Sequence, residues 1–153
     1  MAHAELTAEA SPRGVTFKDH TADVIMEATG PTLDSCLARA GAGLFAVFAP
    51  PPSSEALIPY EIRVEASSPE ELLVAWLEEL LYRSEVEGVI FSTFEVELQP
   101  GPEGTFVLVA RVGGRRLRPE DEPAGPSVKA VTRHQLRLGP GGEGWLAQVV
   151  LDV

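Results

Sequence analysis

The chain has 153 residues, of which 44% are hydrophobic and 23% are charged, a balance typical of a single globular domain. Its 23 acidic and 12 basic residues give a formal net charge of -11. A protein that grips the phosphate backbone of nucleic acids needs a positive field, so direct nucleic-acid binding is not expected. A basic protein partner would instead be attracted to this field.

The composition also bears on the compartment. Cys36 is the only cysteine, so an internal disulfide is excluded, and its apolar surroundings predict a core residue. No segment approaches the ~20 apolar residues of a membrane span. The first 14 residues lack the basic and apolar regions of a signal peptide. We therefore expect a cytoplasmic protein without a membrane partner.

The first half of the chain predicts a tail, a strand and a helix. Residues 1–13 are polar and predict a loosely ordered tail, so that residues 14–153 form the domain. Residues 23–28 alternate between apolar and polar side chains, which indicates a strand. Thr32 then caps a predicted helix that ends before Pro50. Its apolar face carries Leu33, Cys36, Leu37, Ala40 and Leu44.

The second half predicts more strands than helices. Residues 58–66 alternate strongly, and Ser68 with Glu71 resembles a capping box that opens a leucine-rich helix. A hairpin is predicted from strands at 89–98 and 104–112, a loop at 113–126, and a second hairpin from 127–138 and 145–153. This order favours an α+β fold, with two main helices packed on an antiparallel or mixed β-sheet.

Three short segments carry residues suited to chemistry. In residues 19–24, Asp19, His20 and Asp23 gather where a strand begins, and such carboxylates suit a hard cation, Ca²⁺ or Mg²⁺. The same cluster also suits a turn in which the Asp side chains accept backbone N–H groups. At the other end, Asp152 and the α-carboxylate of Val153 place two hard donors side by side. A cation would bridge them to Asp23 if the two ends of the chain met.

The third segment is the strand at 128–138. A strict period of two puts Val128, Thr132 and His134 on an apolar face and Lys129 on the opposite face. This pattern favours His134 as a core histidine. Lys129 is either solvated or placed to meet phosphate or a carboxylate.

Together these pieces resemble the archease family. The resemblance rests on residues 19–24, on 128–132 followed by His134, and on the closing Asp152-Val153, with the leucine-rich helix at 71–81 between them. It extends over about residues 14–153. It implies a small α+β protein that assists RtcB-type RNA ligases in tRNA splicing and RNA repair, by promoting guanylylation of the ligase and multiple turnover.

The resemblance also implies roles for particular residues. The metal-binding positions of the family fall on Asp23, Asp152 and Val153, the last through its terminal carboxylate. Lys129 matches a position important for activation, and Asp19, His20 and His134 belong to the same motifs. Many relatives have an aromatic residue in place of Arg133 and a histidine in the loop that here spans 118–125. A contribution from that loop is therefore not carried over.

Two other functions stay open from the residues themselves. A metal-dependent phosphoester hydrolase would use the same carboxylates to activate water. A chaperone-like binding module would instead use the glutamate-rich face of the second helix, which includes Glu78 and Glu79. No Ser–His–Asp arrangement and no cysteine or histidine pair with zinc spacing is present.

Overall fold

The computed structural model describes residues 23–142 and 144–153. Strand β1 (Asp23–Gly30) buries every second residue, as its alternation predicts. Thr32 caps helix α1 (Leu33–Phe48): its Oγ1 accepts from the Ser35 N–H at 3.1 Å, and the Ser35 hydroxyl oxygen accepts from the Thr32 N–H at 3.1 Å. The helix ends just before Pro50, where the sequence predicts its end.

The second strand and helix also form where they are predicted. Strand β2 (Ile58–Ala66) leads to helix α2 (Pro69–Glu87), whose first N–H groups are capped by Ser68. The helix runs to Gly88, which has a φ of 66° and closes it in the left-handed conformation that glycine accepts readily. The capping box is only half formed, because the Glu71 side chain turns away from Ser68 toward Arg133.

Two hairpins complete the chain. Strands β3 (Val89–Pro100) and β4 (Phe106–Arg116) are joined by a 3₁₀ turn at Pro102–Gly104. Strands β5 (Ala130–Gly141) and β6 (Gly144–Asp152) form the second hairpin. The predicted loop at 113–126 begins later than expected, because β4 continues through Arg116.

The strands form two antiparallel sheets of three, in the orders β1-β6-β5 and β2-β4-β3. Both helices contact both sheets: α1 packs on β1, β6 and β3, and α2 packs on β2, β5, β4 and β3. The predicted α+β class with two main helices is confirmed.

One hydrophobic core joins these layers. Trp76 of α2 is fully buried and donates its indole N–H to the carbonyl of Leu37 in α1 at 2.8 Å. A Cβ at Gly41 would lie 3.1 Å from Leu80 of α2 and Phe94 of β3, so this glycine permits the close packing of α1 against both elements. Cys36 is fully buried, and burial raises the pKa of its thiol, in keeping with a core role.

Candidate functional site

Asp23 and Asp152 lie opposite each other on neighbouring strands. In the β1–β6 ladder Asp23 pairs with Asp152, and in the β5–β6 ladder Asp152 pairs with Ala130. Directly paired residues point to the same face of a sheet, with Cβ atoms roughly 5 Å apart. The fold therefore brings together two carboxylates that are separated by almost the whole described chain.

The surroundings of Asp152 leave part of its carboxylate without a partner. Its Oδ1 is buried and accepts no hydrogen bond from the described residues. A like charge directly opposite, on Asp23, is unfavourable in a ladder. An ionised carboxylate offers only acceptor sites, so a cation would satisfy both the buried oxygen and the facing charges.

Lys129 and Val153 lie beside this pair. The Lys129 N–H donates to the Asp152 carbonyl at 2.7 Å, which ties the approach to β5 to the end of β6. Its neighbour Val128 is buried, while the Lys129 side chain is exposed next to α2. The Val153 side chain packs against the core, which fixes the position of Val153 directly after Asp152. We call Asp23, Lys129, Asp152 and Val153 the carboxylate tip.

The remaining members of the predicted site are placed differently. Asp19 and His20 lie outside the described residues. Within residues 23–142 and 144–153, no group of three or more His, Cys, Asp or Glu side chains is arranged to hold a metal ion. Among the side chains described, the carboxylate tip contains two carboxylates, Asp23 and Asp152.

The prediction that His134 lies on an apolar core face is wrong. Between Thr132 and Arg137 the β5–β6 register shifts, so that residues 133–136 bulge out opposite a single residue of β6. Val131 and Leu138 are both buried although their positions differ by seven, an odd number, which would put them on opposite faces of a regular strand. His134 lies in the bulge and is exposed.

The bulge is fixed by contacts at both ends. Gln135 has a φ of 53°, and its carbonyl accepts from the Gln148 side chain at 2.9 Å. Arg133 binds the Glu71 carboxylate in a bidentate ion pair, with N–O distances of 2.8 and 2.9 Å for its two shortest contacts. Hydrogen bonding to Arg133 lowers the pKa of Glu71. The bulge, a feature that commonly re-aims side chains, thus places His134 at the surface.

A buried ion pair that the sequence analysis missed holds the loop before β5. Arg115 donates to both oxygens of Asp121 at 2.9 and 3.2 Å, and Asp121 also accepts from the Arg118 N–H at 2.6 Å. Both paired side chains are nearly buried, with 6% and 8% exposed. The hydrogen bond from Arg115 is the main cause that lowers the pKa of Asp121 to about 2. In the sequence, this pair is marked only by a basic and an acidic residue six positions apart, and the segment contains several other charged residues.

The comparisons with known proteins agree with this fold. The family model described as "Archease protein family (MTH1598/TM1083)" matches residues 16–153. The protein archease of Methanosarcina mazei is 36% identical over 137 residues, which cover 90% of this chain and 94% of that protein. The chain belongs to the archease family.

Solved structures show the same architecture. The solution structure of Methanobacterium thermoautotrophicum protein 1598 is similar with a TM-score of 0.73 and 26% identity, covering 88% of this chain and 95% of that one. An archease from Thermotoga maritima, described as a "possible chaperone", has a TM-score of 0.57 at 17% identity, covering 94% and 100%, and supports the fold alone. Within the described residues, neither helix is long and apolar enough to cross a membrane.

Proposed function

We propose that this protein is an accessory activator of an RtcB-type RNA ligase and that it performs no ligation itself. Its carboxylate tip would hold a divalent cation, Ca²⁺ or Mg²⁺, and would promote guanylylation and multiple turnover of the ligase. The observation that carries the proposal is the pairing of Asp23 with Asp152, in which one Asp152 oxygen is buried without a hydrogen-bond donor among the described residues.

The donor set fits a hard cation. Asp23 and Asp152 supply carboxylate oxygens from adjacent strands, and Val153, which follows Asp152 directly, would be the third proposed ligand. When bound, the cation supplies positive charge that neutralises the facing carboxylates. Binding would therefore stiffen the ends of β1 and β6 and fix the tip as a single unit.

The chain's own residues give the tip its reach. Lys129 is exposed and its backbone is tied to Asp152, so its ammonium group would present a compact positive charge next to the carboxylates. This charge suits a phosphate or a carboxylate of the partner. His134, exposed in the β5 bulge, would be a further contact with the ligase; Asp19 and His20 remain candidates from the family motif.

A protein partner also suits the overall charge. A net charge of -11 disfavours direct binding to RNA and favours encounter with a basic protein. We accordingly propose that the protein acts through the ligase in the cytoplasm and does not contact the RNA directly.

Multiple-turnover RNA ligation by a purified RtcB-type ligase tests the proposal. We expect stimulation by substoichiometric wild-type protein, loss of stimulation with Asp23→Asn or Asp152→Asn, and normal stimulation with Glu27→Gln. Glu27 is the matched control because it is an exposed carboxylate on the same strand as Asp23. It pairs with Gln148 and not with Asp152.

Two results would contradict the proposal. A competent ligase that is not stimulated by the wild-type protein would exclude the activator role. Phosphoester hydrolysis by the isolated protein that requires Asp23 and Asp152 would assign the same carboxylates to a metal-dependent hydrolase instead.

A further inference from the structure

A groove runs between the outer side of α2 and the segment that leads into β5. Two adjoining cavities of about 480 and 270 Å³ form it, and both are lined by Leu81 and Glu85 of α2. Val128 lines the larger cavity and Lys129 the smaller one, on the side facing the helix. We call this the α2 groove. The larger cavity has the size of a small-ligand pocket and is ample for one large apolar side chain.

The most exposed large apolar side chains of the described residues surround this groove. Tyr82 is 60% exposed, Val86 61% and Leu117 52%, whereas the other exposed large apolar residues reach only 38–39%. Tyr82 lines the smaller cavity, Leu117 lines the larger one, and Val86 lies one helical turn from Tyr82. Contiguous exposed apolar surface with a polar rim is typical of a protein interaction site.

In the smaller cavity acidic side chains outnumber basic ones, with Glu78 and Glu85 against Lys129. Glu78 and Glu85 line the smaller cavity and form no ion pair with any described residue. Glu71, two turns nearer the N-terminus on the same face of the helix, is by contrast already engaged by Arg133. The free glutamates therefore favour a partner segment in which basic side chains flank an apolar one.

The groove is continuous with the carboxylate tip. Val128 and Lys129 line the groove, and the Lys129 N–H donates to the Asp152 carbonyl at 2.7 Å. One backbone segment thus forms a wall of the groove and supports the tip. A partner seated in the groove would have its neighbouring surface directed toward Asp23 and Asp152.

We propose that the α2 groove is the docking site for the ligase, and this rests on the function proposed above. A ligase segment with an apolar side chain between basic residues inserts beside Leu117 and Tyr82, which line the groove, while the tip acts on the ligase as proposed above. Docking and activation are then separate tasks, and Lys129 is the one residue that belongs to both the groove and the tip. The groove sets affinity, and the carboxylate tip sets the effect once the complex has formed.

The test measures binding and stimulation separately. The double variant Tyr82→Gln/Leu117→Gln removes apolar surface without adding charge, and both positions are exposed, so the domain is expected to stay folded. Phe106→Gln is the matched control, since Phe106 is 38% exposed at the opposite end of β4 from Arg116, the neighbour of Leu117.

We expect the double variant to raise the Kd for the ligase by roughly tenfold or more, as loss of central apolar contacts commonly does. At saturating concentration it should stimulate ligation as well as wild type, whereas Asp152→Asn should bind normally but fail to stimulate. The double variant Glu78→Lys/Glu85→Lys should slow association with the ligase. Glu97→Lys, on β3 and outside the groove, should not.

The outcomes separate the two proposals. Stimulation by wild type together with an unchanged Kd for the double variant would overturn the docking site and leave the activator role standing. A wild-type dimer that the double variant dissociates, with ligase binding unaffected, would assign the groove to a second copy and also overturn it. No binding and no stimulation by wild type would overturn both.

Discussion

Two sites in this protein contain acidic groups in confined surroundings, and they are arranged in opposite ways. Asp121 is held by Arg115 and by the Arg118 N–H, so every charge in that site has a partner. Asp152 instead faces Asp23 and has an oxygen with no donor among the described residues. The Asp121 carboxylate thus has hydrogen-bond donors within the protein. The Asp152 carboxylate would gain from an added cation, as the proposed metal site requires.

The largest expected effect concerns cation binding at the carboxylate tip. Asp152→Asn removes the buried charged oxygen, so we expect Ca²⁺ or Mg²⁺ affinity to fall by roughly 100-fold, at the upper end of the losses seen when metal-site partners are changed. Calorimetric titration of the purified protein measures it. The same substitution removes a like-charge contact, so without divalent cations the free energy of unfolding should rise by ~0.5 kcal/mol.

The prediction is strict because it requires two effects of the same substitution: a lower affinity for the cation and a higher free energy of unfolding without it. A structural carboxylate would show no cation dependence, and its replacement would lower stability in both conditions. If Asp152→Asn destabilises the protein equally with and without Ca²⁺, the contrast between the two sites is wrong.

The opposite behaviour is expected at Arg115. Arg115→Ala strands the nearly buried Asp121 carboxylate and frees the loop that approaches β5, so we expect the melting temperature to fall by ~10 °C. Thermal unfolding followed by circular dichroism measures this. Arg63→Ala is the control, because Arg63 forms only an exposed contact of 3.8 Å with Glu65 and its loss should change little. Equal melting temperatures for the two variants would contradict the structural role of Arg115.

The ion pair also predicts a dependence on acid. Because the folded-state pKa of Asp121 is lowered from 3.8 to about 2, its ionised form stabilises the fold above about pH 4, and this contribution is lost as the pH falls toward 2. The difference in melting temperature between wild type and Asp121→Asn should therefore be largest above pH 4 and shrink between pH 4 and 2. A difference that is constant over this range would show that Asp121 acts through packing alone.

Local patterns predicted the elements well and their meeting points poorly. Thr32, Ser68 and Gly88 act within one turn of their helices, so the bounds of α1 and the start of α2 follow from nearby residues. Asp23 and Asp152 were expected to meet only because of a family resemblance. Their contact depends on strand order, which no period in the sequence encodes.

The bulge in β5 shows why a period of two can mislead. Residues 133–136 lie opposite a single residue of β6. Every assignment of a side chain to a sheet face that was made across the bulge therefore changes, including that of His134. The Glu71–Arg133 ion pair, across 62 residues, and the Arg115–Asp121 pair depend on tertiary contacts in the same way. Charged residues in loops and on helix faces look solvated in sequence until the fold supplies their partners.

The smallest expected effect lies at the bulge itself, where the comparison of sites can be sharpened. Arg133 and Glu71 are largely exposed, so Glu71→Gln should lower the melting temperature by less than about 2 °C, and added salt should reduce the difference further. The pair nevertheless fixes the position of the bulge against α2. If His134 contacts the ligase, Glu71→Gln should therefore clearly reduce ligase stimulation while it changes the melting temperature only slightly. Measuring melting temperature and multiple-turnover ligation on Glu71→Gln, with Glu70→Gln as the neighbouring control, separates the two effects. Unchanged stimulation in both variants would remove the bulge from the interface and confine activation to the carboxylate tip.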